Sequence, residues 1–151
     1  RKTTPGLRWF EKQSVKHGGG VNHRFGLYDM ILIKDNHIDA ARGIDSAVSK
    51  AKQYCMQLDE PLQFEVEVRN FDELDQVLDC EGVNRVMLDN FTPEDTRSAL
   101  TKISGRLEVE SSGGITLDTI RAYAETGVDY ISVGALTHSV KCLDISLKIT
   151  E

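Results

Sequence analysis

The run LIKDNH sets Lys34, Asp35, Asn36 and His37 directly after an apolar stretch from Met30 to Ile33. A buried parallel strand delivers polar side chains to its carboxyl end in this way. Two more cationic clusters precede it, RKTTPGLR from Arg1 to Arg8 and NHR from Asn22 to Arg24. Arg1, Arg24 and Lys34, with His23 beside them, supply planar guanidinium forks and a point charge, the groups that grip carboxylates. A ligand with two carboxylates would satisfy them. Each of the three could alone be a surface charge, but a lysine ending an apolar strand needs a partner. Lys2 is ambiguous, because adjacent strand residues point to opposite faces.

Later strand ends offer acids and then glycines. Glu65 and Glu67 share one face of FEVEV, and Asp89 ends the next apolar run. Carboxylates so placed can hold hydroxyls or Mg²⁺. Glu67 lies nearer the carboxyl end and is the favoured ligand, which leaves Glu65 as a candidate buried partner for Lys34. Glu110-Ser111-Ser112-Gly113-Gly114-Ile115-Thr116 and Gly134-Ala135-Leu136-Thr137-His138-Ser139 follow the last two strand candidates. Glycines there let backbone N–H groups approach an anion, and a helix starting at Thr116 would aim its positive end at the same place. The bland alternative is that these glycines only permit tight turns. His37 and His138 are as readily structural as catalytic.

Several chemistries are excluded. His17-Gly18-Gly19-Gly20 lacks the GxxxxGK[ST] pattern and a preceding strand, so it is no phosphate loop. Ser111-Ser112 lies in no GxSxG elbow. Cys55, Cys80 and Cys142 are widely spaced and outside any CxxC pattern, which argues against a disulfide framework or a thiolate zinc site. A net charge of −6 over 151 residues disfavours nucleic acid and anionic membrane as partners. The apolar runs are far shorter than the roughly 20 residues of a membrane span. The expectation is a cytoplasmic protein whose basic residues act locally.

The elements that must position these groups alternate. Met30–Lys34, Phe64–Val68, Arg85–Leu88, Leu107–Glu110 and Tyr130–Val133 read as strands. Ile44–Met56, Phe71–Leu78, Pro93–Thr101 and Leu117–Thr126 read as helices between them, with Thr92-Pro93-Glu94-Asp95 a helix start and Thr116 a second capping hydroxyl. A truncated first strand at Lys2-Thr3 and a helix from about Pro5 to Lys16, closed by Gly18-Gly19-Gly20, complete about six βα units. Such alternation predicts an α/β fold with a parallel sheet, best a partial or whole TIM-like barrel filling residues 1–151 as one domain. An open doubly wound sheet is the alternative, disfavoured because polar residues end nearly every strand. The chain starts at Arg1 without Met, and the expectation is that it is part of a longer protein.

In order along the chain, RKTTPGLR, GGGVNHR, LIKDNH, FEVEV, MLDNF, ESSGGIT and YISVGALTHS resemble the C-terminal barrel domain of the quinolinate phosphoribosyltransferases, the decarboxylating enzymes of NAD biosynthesis. The resemblance runs from Arg1 to Lys148. It implies conversion of quinolinate and phosphoribosyl pyrophosphate, with Mg²⁺, into nicotinate mononucleotide, carbon dioxide and pyrophosphate. It implies that Arg1, His23, Arg24 and Lys34 surround quinolinate's carboxylates and that Lys2 lies near the phosphate-bearing co-substrate. Glu67 and Asp89 would face the ribose hydroxyls and Mg²⁺, and with Lys34 would form the catalytic set. Ser112, Gly113, Gly114, Gly134 and Ala135 would hold the 5′-phosphate, with His138 close by. It further implies an N-terminal α/β domain ahead of this one, a homodimer or higher homo-oligomer in which a partner's arginine completes the site, and an inactive isolated domain. A related ribosyltransferase-like protein of molybdenum metabolism and a non-catalytic binding module are the rival readings.

Overall fold

Parallel pairing in unbroken chain order organises the larger part of the molecule. The computed structural model describes residues 2–139 and 144–150. Contacts divide the chain into two units, one of His23–Val133 and one of residues 1–22 with those from Gly134 onward.

In the larger unit, β1 (Ile31–Ile33), β2 (Phe64–Val68), β3 (Arg85–Asp89), β4 (Glu108–Ser112) and β5 (Tyr130–Ile131) form one sheet in the order β1-β2-β3-β4-β5, every neighbour parallel. A doubly wound sheet reverses direction at a switch point; this one does not, so the winding is that of a barrel. Between the strands run α2 (Asp35–Ala41), α3 (Ile44–Cys55), α4 (Phe71–Leu78), α5 (Pro93–Ile103) and α6 (Ile120–Ala124).

The period-2 pattern sends Val66, Val68, Val86, Leu88 and Val109 to one face, where they pack with Val48, Leu74, Val77, Ala99 and Ile103 of the helices. Most of these side chains are fully buried. Each large one contributes about 1.5–3 kcal/mol relative to exposure. The α5 start has the anticipated form, with Thr92 Oγ1 accepting the Asp95 N–H at 3.1 Å and Pro93 in the first turn. Asn70 caps α4 likewise, its Oδ1 accepting the Glu73 N–H at 2.9 Å.

In the larger unit several elements depart from the sequence reading, three of them near the candidate site residues. Asp35, Asn36 and His37, read from the sequence only as residues at a strand end, form the first turn of α2, a helix the sequence reading did not include. The last helix is Ile120–Ala124 rather than Leu117–Thr126, because Thr119 Oγ1 accepts the Thr116 N–H at 3.0 Å and closes a separate turn first. Strand β5 stops at Ile131, two residues early.

In the smaller unit α1 spans Arg8–His17. Its end is the glycine stop that the sequence suggested: the N–H groups of Gly18 and Gly20 reach Ser14 and Val15 carbonyls at 2.9 Å, with Gly19 left-handed at φ +85°. Lys2 and Thr3 carry no strand pairing, so the first βα unit has no strand at those residues. Gly134–Leu136 form a 3₁₀ turn. Among the described residues no helix is long and apolar enough to cross a membrane.

Candidate active site

The strand face opposite the helices carries the polar side chains. Register sets Ile33 beside Val66, so one residue further along Lys34 arrives beside Glu67. Lys34 Nζ and Glu67 Oε2 form an ion pair, with the lysine side chain 40% exposed and the glutamate 11%. This corrects the expectation that Glu65 partners Lys34: Glu65 sits two residues deeper and meets His23 instead. The backbone N–H of Lys34 donates to His37 Nδ1 at 3.0 Å, so His37 is spent on the start of α2.

Glu65 is fully buried and its Oε2 lies 2.8 Å from His23 Nε2. On the other side of that ring, Nδ1 accepts the backbone N–H of Arg24 at 2.9 Å, and the Arg24 guanidinium donates to the Met30 carbonyl at 3.4 Å. Glu110, 2% exposed, lies 3.9 Å from the same His23 nitrogen. Its carboxylate accepts from the Ser132 hydroxyl and pairs with Arg85 Nη1 at 3.3 Å. Arg85 also bonds Glu108 at 2.8 Å and stacks over the Tyr130 ring, 3.7 Å from its centroid.

Burial first, and then the neighbouring Glu65, push the Glu110 carboxyl above its ordinary pKa, against the Ser132 hydroxyl and the His23 ring. Burial works against the Arg85 charge, but Glu108, Glu65 and Glu110 outweigh it and hold that guanidinium above its ordinary value. His23, Glu65 and Glu110 are metal-ligating types with donor atoms within 4.8 Å of one another. Arg85 and Ser132 already engage Glu110, however, so the cluster carries its own cation.

At the end of β3, Asp89 Oδ2 accepts from Asn90 Nδ2 at 2.8 Å. Register brings Ser112 beside Asp89, and the Asn90 N–H donates to the Ser112 carbonyl at 2.9 Å. Gly113 fits only as glycine: its φ is +97°, and a Cβ would lie 2.8 Å from the Asn90 backbone nitrogen. Gly114, at φ +59°, faces open space. The helix N-terminus expected at Thr116 is instead a hydrogen-bonded turn, since α6 begins only at Ile120.

In the smaller unit Lys2, Gly134 and His138 come together. A Cβ on Gly134 would lie 2.5 Å from His138 Nε2 and 3.5 Å from Lys2 Cδ. His138 Nδ1 is 3.0 Å from Ser139 Oγ, and Ala135 is exposed in the 3₁₀ turn. Arg1 lies outside the described residues.

The sequence placed Lys34, Glu67, Asp89 and Ser112 at or just beyond strand ends, but offered Glu65 as the partner of Lys34 and missed Glu110, Arg85, Asn90 and Ser132. A signal for Glu110 was present: LEVES repeats the alternation of FEVEV, which puts Glu110 on the face of Glu65.

Known proteins share this sequence and this fold. The model of the quinolinate phosphoribosyl transferase C-terminal domain matches residues 1–148. A curated tobacco protein, quinolinate phosphoribosyltransferase [decarboxylating] 2b, mitochondrial, is 47% identical over 99% of this chain and 46% of its own length. A probable nicotinate-nucleotide pyrophosphorylase [carboxylating] of Bacillus subtilis is 47% identical over 99% of this chain and 50% of its own. The structure of the nicotinate-nucleotide pyrophosphorylase from Francisella tularensis superimposes with a TM-score of 0.86 at 49% identity, over 93% of this chain and 49% of that one. NadC from Streptococcus pyogenes does so with a TM-score of 0.88 at 44% identity, over 98% and 50%. The chain spans about half the length of the curated relatives it matches. The chain belongs to the family of quinolinate phosphoribosyl transferase C-terminal domains.

Proposed function

We propose that this chain is the barrel domain of a decarboxylating phosphoribosyltransferase that makes nicotinate mononucleotide, carbon dioxide and pyrophosphate from quinolinate and phosphoribosyl pyrophosphate. The observation that carries this reading is the Lys34–Glu67 pair at adjacent strand ends, followed strand by strand by Asp89 and by Ser112-Gly113-Gly114.

In this reading Arg24 and Lys34, with His23, serve quinolinate's carboxylates, and the resemblance adds Arg1 to that role and gives Lys2 the phosphate-bearing co-substrate. Ser112, Gly113 and Gly114 receive the 5′-phosphate, a role the resemblance also extends to Gly134, Ala135 and His138. Glu67 and Asp89 offer hard oxygen donors at neighbouring strand ends, which suits Mg²⁺ shared with a substrate's own oxygens. When bound, that ion would neutralise charge on the pyrophosphate leaving group.

The bond from ribose C1 to pyrophosphate breaks with its electron pair leaving on pyrophosphate, and the pyridine nitrogen closes on C1. The ring nitrogen is then cationic. It accommodates the electron pair left at C2 when the adjacent carboxylate departs as carbon dioxide, and C2 takes a proton. The side chains act by position and field: Arg24 and Lys34 orient the ring while leaving the departing carboxylate unbound by covalent chemistry.

An N-terminal domain and a partner subunit's arginine would complete the site in a cytoplasmic homodimer, and the isolated chain would be inactive. The test is turnover by the full-length protein with quinolinate, with nicotinate as the one-carboxylate control. Product from quinolinate alone, lost on Lys34→Ala, supports the reading; a Lys34→Ala variant within about threefold of the parent removes Lys34 from it. Sedimentation and cell fractionation test the assembly and the compartment.

A further inference from the structure

A carboxylate buried at 0% exposure with one oxygen, Oε1, lacking a hydrogen-bond partner costs stability, and Glu65 is such a group. Its other oxygen meets His23 Nε2 at 2.8 Å. The His23 ring is fixed from both sides, because Nδ1 accepts the Arg24 N–H and therefore carries no proton. The hydrogen sits on Nε2 and points at Glu65.

From this we infer that Glu65 is a positioning residue for the carboxylate pocket: it holds the His23 imidazole in the Nε2–H tautomer, and that ring pins the backbone from which the Arg24 guanidinium projects. The inference rests on the proposed reading of Arg24 as a quinolinate contact. His23 then serves the substrate through its neighbour, with both of its nitrogens committed within the fold. The geometry forms a short chain running from the buried face to the strand end: Glu65 to His23 by side chain, His23 to Arg24 by backbone, and Arg24 to the Met30 carbonyl at 3.4 Å.

A purely structural part for Glu65, as one of the acids around Arg85, makes different predictions. Arg85 is bonded by Glu108 at 2.8 Å, a contact that does not involve position 65. Neither the tautomer of His23 nor the substrate affinity would then follow the acceptor at 65.

The experiment uses the full-length protein with Glu65→Leu, which removes the acceptor at similar volume, and Glu65→Gln, which keeps one. His23 is assigned in imidazole ¹⁵N spectra through His23→Gln. The expected result is the Nε2–H tautomer in the parent and in Glu65→Gln, and its loss in Glu65→Leu. With that loss the KM for quinolinate rises about tenfold or more, while kcat and the KM for phosphoribosyl pyrophosphate stay within about threefold. Glu65→Gln restores the quinolinate KM. A parent ring protonated at Nδ1 overturns the inference, and this readout stands even if Glu65→Leu fails to fold. So does a folded, active Glu65→Leu with the parental quinolinate KM. A parent that does not turn over quinolinate overturns the functional reading instead, whatever the tautomer.

Discussion

The two faces of the five-stranded sheet obey opposite rules. On the helix side, Val66, Val68, Val86, Leu88 and Val109 pack in one apolar cluster, with the Thr96 and Ser111 hydroxyls as the buried polar groups of that layer. On the other side, the same strands carry Glu65, Glu67, Arg85, Asp89 and Glu110, a polar set in which Glu65 and Glu110 are buried, compensated by ion pairs and hydrogen bonds with one Glu65 oxygen left over. One face is built for stability and the other holds charge that a fold alone has no use for. A residue's side of the sheet therefore says which assay will notice its loss.

The sharpest break comes on the apolar face. Leu88→Ala, at a side chain 1% exposed, should cost roughly 4 kcal/mol in chemical denaturation of the full-length protein. A loss below about 1 kcal/mol would show that the helix face packs loosely. Next in size is Glu67→Gln on the polar face. In the full-length enzyme it should lower kcat/KM on the order of 10²-fold, while stability moves by no more than about 1 kcal/mol. Equal effects in both assays would dissolve the contrast between the faces.

Thr92→Ala, which removes the α5 cap at the Asp95 N–H, should cost about 1 kcal/mol and leave substrate KM values unchanged. The smallest effects are changes of slope with pH. Glu110 has a folded pKa raised above its ordinary 4.5 by burial and by Glu65. Its contribution is therefore present below that value and lost as pH climbs through the raised one, and Glu110→Gln should flatten this decline. Glu73, in α4 of the helix layer, has the opposite sign. Burial pulls its pKa up, but hydrogen bonds from Arg69 outweigh burial and bring it below 4.5. Its contribution is present above 4.5 and lost as pH falls through the lowered value. Parallel slopes for Glu110→Gln and Glu73→Gln in pH-dependent denaturation would contradict these assignments.

Much of this division was legible in the sequence, since the period-2 and 3.6-residue patterns are properties of single segments. FEVEV names its own two faces, and Phe71–Leu78 was bounded correctly from its pattern alone. Pairings between segments were not legible. That Lys34 meets Glu67 instead of Glu65 depends on Ile33 lining up with Val66, a register no single strand encodes. Helix α2 escaped notice because its N-cap is Lys34, whose side chain lacks the hydroxyl or amide that usually marks a start, and because no loop separates it from β1. The link of Glu110 to Arg85 and Ser132 runs between β3, β4 and the residue just after β5, and emerges only once they are laid side by side.

The close approach of Gly113 to Asn90 bears on how this loop can drift over generations. Any side chain at 113 would strike the backbone of residue 90 as well as its amide, so changing Asn90 cannot compensate for it. Position 113 is thereby closed to mutation by its neighbour's main chain. Gly114, also left-handed but with space around it, meets no such barrier from the fold, so any constraint there comes from the ligand.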